Sequence, residues 1–504
     1  MSEPPPNSLQ AVLAWLSSEP SGDINAELAD LCRHVENVGG WSLPTAQRQD
    51  LLGLFGQRAF DVCERFRPGL LTCELPVPAE LHAKATTLID ILLSISRQAQ
   101  LLYDDMRSRK LWAWQADLSD LCDLSHGIHG EIYLLSILLG AAPPFGLWQR
   151  IHAVWNASGG QGERPRRGDA QPQPPKSSSR YKRLLAMAIS QTESLTAREQ
   201  QWLFDYLESI AGDLLLSFVP PQPETSAYWF DPNQDMPPVA CVRRAPGKGN
   251  EAVYLNPAEI VHRIGIQILW LEKRLLDLDA NVRNSGDSGL LEAGVPVLPV
   301  GLTPLEILSL LRRLRERWAA APERGEARSR QHYTVQVCAG LKSVWAMGRE
   351  PLMTADEWTV YNESPGGYGI LYVGSICCAL SAGMVLALRR ESSQEWAVCV
   401  VRWVRTDSPR QIELGLQVLG EGFTPVSICF HGSNALSPAL MVRSSAAARG
   451  NQALVAEAGT YMSNHFVLVR ERGNLYIAQG LALGLDMQTA RVELFQYKID
   501  HYAK

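Results

Sequence analysis

The chain of 504 residues is too long for a single hydrophobic core, and its length predicts two to four domains. A hydrophobic content of 46% and a charged content of 20% are those of an ordinary globular protein, so they exclude a largely disordered chain. The formal net charge of -6 gives no support for nucleic acid as the main partner.

The cysteines and the apolar segments indicate a reducing, aqueous compartment. The ten cysteines form no CxxC pair, and most lie in apolar runs such as "WAVCVVRWV", where they act as small buried hydrophobes. The start, "MSEPPPNSLQ", lacks the basic and apolar parts of a signal peptide. The longest apolar run is broken by Pro143 and Pro144 and is short for a membrane span. We therefore expect a cytoplasmic protein without membrane insertion.

The first part of the chain has a helical period. Segments such as "AELHAKATTLIDILLSISRQAQLLYDDM" place apolar residues three and four positions apart, which predicts a helical domain over residues 1–156. Residues 157–180 have no such period and are rich in Gly, Pro, Gln, Arg and Ser, which predicts a disordered linker or a long mobile loop.

A second mostly helical region is predicted over residues 181–320. Two of its helices begin with capping boxes, in which a threonine is followed three residues later by a glutamate: Thr196 with Glu199, and Thr303 with Glu306. Between these helices, "SAYWFDPNQDMPPVACVRR" predicts a small β-hairpin or an irregular loop.

From Tyr333 the period changes to that of short strands. The runs "YTVQVCAGL", "EWTVY", "GILYVG", "MVLALRR", "WAVCVVRWV" and "IELGLQVLG" are β-branched and aromatic-rich, and turn residues separate them. They predict a small antiparallel sandwich or barrel over residues 321–432. More strand-like runs predict a β-rich extension over residues 433–504, with enough strands for a second barrel. The fold class is therefore multidomain α + β, a large helical region followed by β-structure.

The segment "NESPGG", residues 362–367, lies between two of these runs. One interpretation is a tight hairpin, and the other is a ligand face where glycine lets the backbone approach closely. Asn362 and Ser364 would supply neutral hydrogen bonds there. Upstream, a polar connector carries Arg324, Arg328 and Arg330, whose planar guanidinium groups suit phosphate and guanine.

An arginine connector, an [D/N]xSxxG turn and a series of short strands together resemble a PilZ domain. PilZ domains are receptors for the bacterial second messenger cyclic di-GMP. Asn362, Ser364 and Gly367 match the turn position by position, and the resemblance covers about residues 324–430. It implies that cyclic di-GMP, commonly as an intercalated dimer in this family, is clamped between the connector and the turn.

The RxxxR motif of that family fits this chain in two registers. Arg324 and Arg328 have the right spacing, but a strand beginning at Tyr333 would follow them several residues late. In the register nearer the strand, Arg330 takes the first position and Thr334 replaces the second arginine. The resemblance therefore leaves open which arginines bind the ligand.

Two other groups of residues could carry chemistry. His126 and His129 lie three apart with Glu131 close by, as in some zinc sites, but packed histidines without a metal are the better interpretation. The pair Cys377 and Cys378 could be redox-active, but packing inside a strand is the simpler interpretation.

No nucleophile elbow, phosphate loop, dinucleotide fingerprint or HExxH helix is present in the sequence, so we expect that the protein is not an enzyme. The resemblance implies a cytoplasmic bacterial cyclic di-GMP receptor that transmits nucleotide binding from a PilZ-like barrel to a helical module, through which we expect it to contact a protein partner. The alternative is an adaptor or scaffold whose barrel no longer binds the nucleotide. No cofactor beyond the ligand cyclic di-GMP is expected.

Overall fold

The structure is a computed structural model. It describes residues 8–39, 42–108, 115–160, 178–220, 227–247, 249, 251–276, 298–320, 328–350, 355–374, 379–430, 435–444, 452–461, 464–472 and 474–500. The segment predicted as a linker falls mostly on residues 161–177, which lie outside the described residues.

The described residues up to Ala320 form what we call the helical unit. Its helices are α1 (Leu9–Ser17), α2 (Ile24–Gly39), α3 (Thr45–Leu71), α4 (Ala79–Ser108), α5 (Gln115–Leu138), α6 (Leu147–Ala157), α7 (Ser179–Ile189), α8 (Ala197–Ile210), α9 (Ala258–Leu276) and α10 (Pro304–Ala319). Both predicted capping boxes are confirmed. The Thr196 and Thr303 side chains each accept a hydrogen bond from the backbone N–H of the glutamate three residues later, and the Glu199 and Glu306 side chains accept one from the backbone N–H of the threonine.

The two predicted helical stretches share one core. A continuous cluster of buried side chains runs from Val12 on α1 to Trp318 on α10. Trp155 on α6 stacks on Tyr181 on α7, with ring centroids 5.3 Å apart. The helices on either side of residues 161–177 are therefore packed on each other rather than on separate cores.

The segment predicted as a small hairpin belongs to a four-stranded antiparallel sheet. The strands are β1 (Leu215–Ser217), β2 (Tyr228–Phe230), β3 (Val239–Ala240) and β4 (Val253–Asn256), in the order β1-β4-β2-β3. The hairpin is β2 and β3, while β1 and β4 come from the flanking sequence. Trp229 and Phe230 are fully buried, so the sheet is part of the packed helical unit.

The predicted antiparallel β-barrel is confirmed. Its strands are β5 (Ser329–Ala339), β6 (Asp356–Ser364), β7 (Gly367–Val373), β8 (Val385–Arg390), β9 (Ala397–Ser408) and β10 (Gln411–Phe430). They pair in the order β5-β6-β7-β10-β9-β8, and β8 pairs with β5 to close what we call the first barrel. Buried side chains such as Val335, Val360, Ile370 and Leu414 fill its interior.

The remaining strands form a second ring that shares β10. They are β11 (Ser437–Ser444), β12 (Gln452–Glu457), β13 (His465–Arg472), β14 (Asn474–Gln488) and β15 (Val492–Asp500). The second half of β10 pairs with β11 on one side and β13 on the other. Helix α11 (Leu341–Arg349) packs between the barrel and this ring, where the indole of Trp345 donates to the carbonyl of Val426 at 2.7 Å.

The helical unit contacts the first barrel mainly at β9 and at the barrel end. Leu75, between α3 and α4, exchanges two backbone hydrogen bonds of 3.1 Å with Leu380. Thr406 on β9 donates from its backbone to the carbonyl of Gly140 at 2.9 Å and from its hydroxyl to that of Leu139 at 3.0 Å. In the part of the chain that the structure describes, no helix has the length and apolar character needed to cross a membrane.

Candidate functional site

The "NESPGG" segment forms the tip of the hairpin between β6 and β7. Ser364 pairs with Gly367, so Pro365 and Gly366 alone form the loop. Proline fixes φ near −65°, which excludes the primed turns common in tight hairpins. Neither Gly366 nor Gly367 has a positive φ. The hairpin and ligand-face interpretations are compatible, because the hairpin presents an outer face to solvent.

Gly367 lies at the start of β7, directly against the backbone of β10. It pairs with Ser364 on β6 and with Gln417 on β10. A Cβ atom on Gly367 would collide with the backbone carbonyl of Leu416, which cannot move without disturbing β10. The glycine is therefore needed for the strand pairing itself, whatever else it does.

A row of residues crosses the outer face of the barrel beside the turn. It runs Arg330, Asn362, Gly369, Gly415 and Trp403 on strands β5, β6, β7, β10 and β9. A Cβ on Gly369 would lie 2.6 Å from Oδ1 of Asn362, and one on Gly415 would collide with the indole of Trp403. The amide and the indole therefore cover neighbouring glycines, on strands about 4.8 Å apart. We call Asn362, Gly369, Gly415 and Trp403 the platform.

The Asn362 side chain is left incompletely bonded on this platform. Its Oδ1 atom is buried and accepts no hydrogen bond from any described residue. A buried polar atom without a partner costs about 1–3 kcal/mol, so its presence beside the turn calls for a physical explanation. Ser364 lies two residues along the same strand and is half-buried on the same side. The arrangement can receive donors from a ligand laid against the platform.

The described arginines of the connector lie at the edge of this face. Arg324 lies outside the described residues. Arg328 directly precedes β5, and Arg330 lies within that strand; both side chains are exposed. No described carboxylate forms an ion pair with either of them. Both guanidinium groups can therefore turn to an anionic ligand without breaking an existing ion pair.

The first strand begins earlier than the sequence predicted. A start at Tyr333 was wrong, since β5 starts at Ser329, immediately after Arg328. The residues "SRQH" are polar because this end of the strand is exposed, so the apolar pattern used for the prediction does not mark them. The apparent gap between the register of Arg324 and Arg328 and the first strand is thereby removed.

Beside the platform, charged and aromatic groups gather around Tyr361, which occupies a bulge in β6. Burial and the Glu413 carboxylate raise the pKa of Tyr361, while the positive charges of Arg328 and Arg405 oppose that rise. The guanidinium of Arg405 lies 5.8 Å from the ring centroid of Trp403. Arginine, carboxylate, amide and indole groups are thus all present on one side of the barrel.

The inner side of the same hairpin is fixed by Glu363. Its carboxylate accepts from the Tyr333 hydroxyl and, at 2.7 Å, from Nη2 of Arg390. The Arg390 guanidinium also lies over the rings of Tyr333 and Tyr368, at 4.9 and 5.8 Å from their centroids. Burial and the bond to Glu363 raise the pKa of Tyr333, so it stays protonated. These contacts tie the turn to β5 and β8.

Sequence reasoning missed Trp403, Arg405 and Glu413. These residues lie about forty to fifty positions from the turn, and only strand pairing brings them beside it. Gly415 within an otherwise strand-like run was the available signal, because an interior glycine indicates a close approach by another group.

The histidine candidates are packed side chains with partners of their own. His129 shares a hydrogen bond of 2.7 Å with Ser96, and His126 contacts the carbonyl of Ile151 at 3.3 Å. Glu131 is bound by Arg67 through both carboxylate oxygens, at 3.0 and 2.9 Å. Among the described residues no group of three metal-ligating side chains converges. Cys377 and Cys378 lie outside the described residues.

Comparison with known families agrees with this geometry. A model described as "Cyclic-di-GMP receptor FimW, middle PilZ domain" matches residues 349–425, so the first barrel is a PilZ domain. A second model, "Cyclic-di-GMP receptor FimW, N-terminal domain", matches residues 10–222, within the helical unit. The two matches together span more than half of the chain, which belongs to this family of cyclic di-GMP receptors. No curated protein and no solved structure is significantly similar to it.

The predicted resemblance to PilZ domains is therefore confirmed, and cyclic di-GMP is the ligand of the family. The PilZ match includes Asn362, Ser364 and Gly367 but begins after the connector arginines. The match over the helical unit adds a relationship that the sequence patterns of that region did not indicate.

Proposed function

We propose that this chain binds cyclic di-GMP on the outer face of the first barrel, with the turn, the platform and the connector arginines as the binding site. The observation that carries the proposal is the buried, unbonded Oδ1 of Asn362 beside two glycines that leave the platform flat. A planar base can lie against such a surface, and its N–H groups can donate to the amide oxygen.

The surrounding charges suit the rest of the nucleotide. Arg328, Arg330 and Arg405 are exposed, and no described carboxylate forms an ion pair with them. Arginine binds phosphate through two parallel hydrogen bonds and pairs with the O6 and N7 atoms of guanine. The Ser364 hydroxyl adds a neutral donor and acceptor at the turn.

Single arginine substitutions separate the two registers. We expect Arg328→Ala to weaken cyclic di-GMP binding by about 1–3 kcal/mol, because a bond from a charged group to guanine or phosphate is lost. Arg330→Ala should have only a small effect, and Arg324→Ala should behave like Arg328→Ala. Isothermal titration calorimetry on each full-length variant measures this. Arg410→Ala, which removes an exposed arginine from the turn between β9 and β10, is the control. A dominant loss from Arg330→Ala would contradict the first register.

We propose further that binding is transmitted to the helical unit through β9. Trp403 and Arg405 face the ligand site, and the next residue, Thr406, is bonded to the end of α5. A cavity of about 670 Å³ lies at this junction, and Arg405 lines it together with Tyr133 and Trp148 of the helical unit. A ligand that moves Arg405 thus acts on a junction that is incompletely packed. Such a switch requires tighter binding to one arrangement than to the other.

Hydrogen–deuterium exchange tests this transmission. We expect cyclic di-GMP to slow amide exchange in the turn and also in residues 136–141 and 404–406, where β9 meets α5. The Arg328→Ala variant at the same ligand concentration is the matched control, since its weaker binding should reduce both effects together. Protection that stays within β6 and β7 would contradict transmission through β9.

The alternative is a non-binding adaptor that acts through the helical unit. In both cases we propose a cytoplasmic protein with a protein partner on the helical unit, consistent with the free thiols of the described cysteines. A folded chain that fails to bind cyclic di-GMP would favour the adaptor. Intact contacts around Glu363, which hold the turn in place, favour the receptor.

A further inference from the structure

A carboxylate lies at the edge of the platform. Glu413 on β10 pairs with Leu371 on β7 and with Arg405 on β9, two residue pairs beyond the row of Gly415. Leu414 between them is fully buried in the barrel, so Glu413 and Gly415 both face outward. The Glu413 side chain is half-buried, and none of the described cations lies within ion-pair distance of its carboxylate.

The neighbours of Glu413 are the same groups that surround the platform. Tyr361 interacts with it from β6, and Arg405 lies beside it on β9 next to Trp403. An anionic phosphate placed against Glu413 would be repelled, whereas a neutral base carrying N–H donors would be attracted. The carboxylate therefore suits the edge of a base rather than the phosphate of a nucleotide.

Guanine is the base whose donors match. Its Watson–Crick edge presents the N1–H and the 2-amino group side by side, and a carboxylate offers two acceptor oxygens in the same plane. Adenine presents an acceptor at N1, which a carboxylate repels. A site built to bond a donor rejects the analogue that lacks it, because a buried polar group is left unpaired.

We propose that Glu413 reads the Watson–Crick edge of a guanine base lying against the platform, and so determines the specificity of the site for guanine over adenine. The inference rests on the proposed binding of cyclic di-GMP to this face. It adds a residue outside the turn and the connector, and it assigns the choice of base to the side chain on β10.

Ligand analogues and one isosteric substitution test this role. Cyclic di-IMP lacks the 2-amino group of guanine. In cyclic di-AMP, the N1 atom of adenine is a hydrogen-bond acceptor where guanine has the N1–H donor. We expect the wild-type chain to bind cyclic di-IMP about tenfold more weakly than cyclic di-GMP, because a bond to a charged group is lost. In Glu413→Gln, cyclic di-GMP should bind about tenfold more weakly than to wild type, and its advantage over cyclic di-IMP should disappear. Calorimetric titration of the full chain gives all these constants.

Two further variants make the result specific. Glu421→Gln removes an exposed carboxylate from the same strand and should keep the wild-type preference. Glu413→Asp keeps the charge but shortens the side chain, so it should retain part of the discrimination between cyclic di-GMP and cyclic di-IMP. It replaces Glu413→Gln as the test variant if the latter does not fold. Unchanged discrimination in the folded Glu413 variants, with normal binding of cyclic di-GMP, overturns the role of Glu413 alone. A wild-type chain that binds none of the three dinucleotides overturns the proposed function.

Discussion

Replacing Gly367 with valine is expected to unfold the first barrel and abolish binding only as a consequence. A Cβ at this position meets the backbone carbonyl of Leu416, and separating β7 from β10 to relieve the collision breaks their pairing. Overpacking against rigid backbone costs about 3 kcal/mol or more when no side chain can give way. Urea denaturation followed by far-UV circular dichroism measures the loss of stability.

Gly484→Val is the matched control for this substitution. Gly484 also lies within a strand, β14, but a Cβ there meets nothing within 4 Å. We expect its unfolding midpoint to stay close to that of the wild type. A Gly367→Val protein with wild-type stability that nevertheless fails to bind the nucleotide would contradict the structural role and assign the glycine to the ligand.

Mild acid is expected to destabilise the helical unit. Burial lowers the pKa of His126 to about 4, of His129 to about 3 and of His152 to about 4. The unfolded chain protonates its histidines near pH 6.5, whereas these three stay neutral in the fold. Stability is therefore lost as pH falls from about 6.5 towards 4. The loss is about 1.4 kcal/mol per histidine for each pH unit, so the three histidines together lose about 4 kcal/mol of stability per pH unit.

Urea unfolding at pH 7.0 and pH 5.5 measures this loss, and one histidine substitution isolates it from the titration of carboxylates. His129→Asn should reduce the acid-induced loss by about a third, because one of the three linked protons is removed. His262→Asn, which replaces an exposed histidine on α9, should leave the loss unchanged. Equal acid sensitivity in the wild type and both variants would contradict the proposed linkage.

The local features of the site were predictable from the sequence, and the features that depend on strand pairing were not. The turn residues Asn362, Ser364 and Gly367 lie within six positions, so their pattern is visible directly. Trp403 and Glu413 reach the same face only because β9 and β10 pair in one particular register and the barrel closes. A one-residue slip would turn them inward, and the sequence alone does not fix that register.

The helical unit follows the same division. Capping boxes at Thr196 and Thr303 involve residues three apart and were predicted correctly. The small sheet has strands of only two to four residues, too short to show an alternating pattern, so β1 and β4 went unrecognised. The helices before and after residues 161–177 share one core. This arrangement depends on packing between residues far apart in the sequence, and local periodicity does not predict such contacts.

One calorimetric titration of the full chain with cyclic di-GMP tests the binding site most directly. We expect saturable binding that Ser364→Ala weakens without a change in melting temperature, because the hydroxyl contacts the ligand and makes no side-chain hydrogen bond to any described residue of the fold. A flat titration of the folded, monodisperse wild-type protein at high ligand concentration would contradict the assignment and leave the adaptor as the better description.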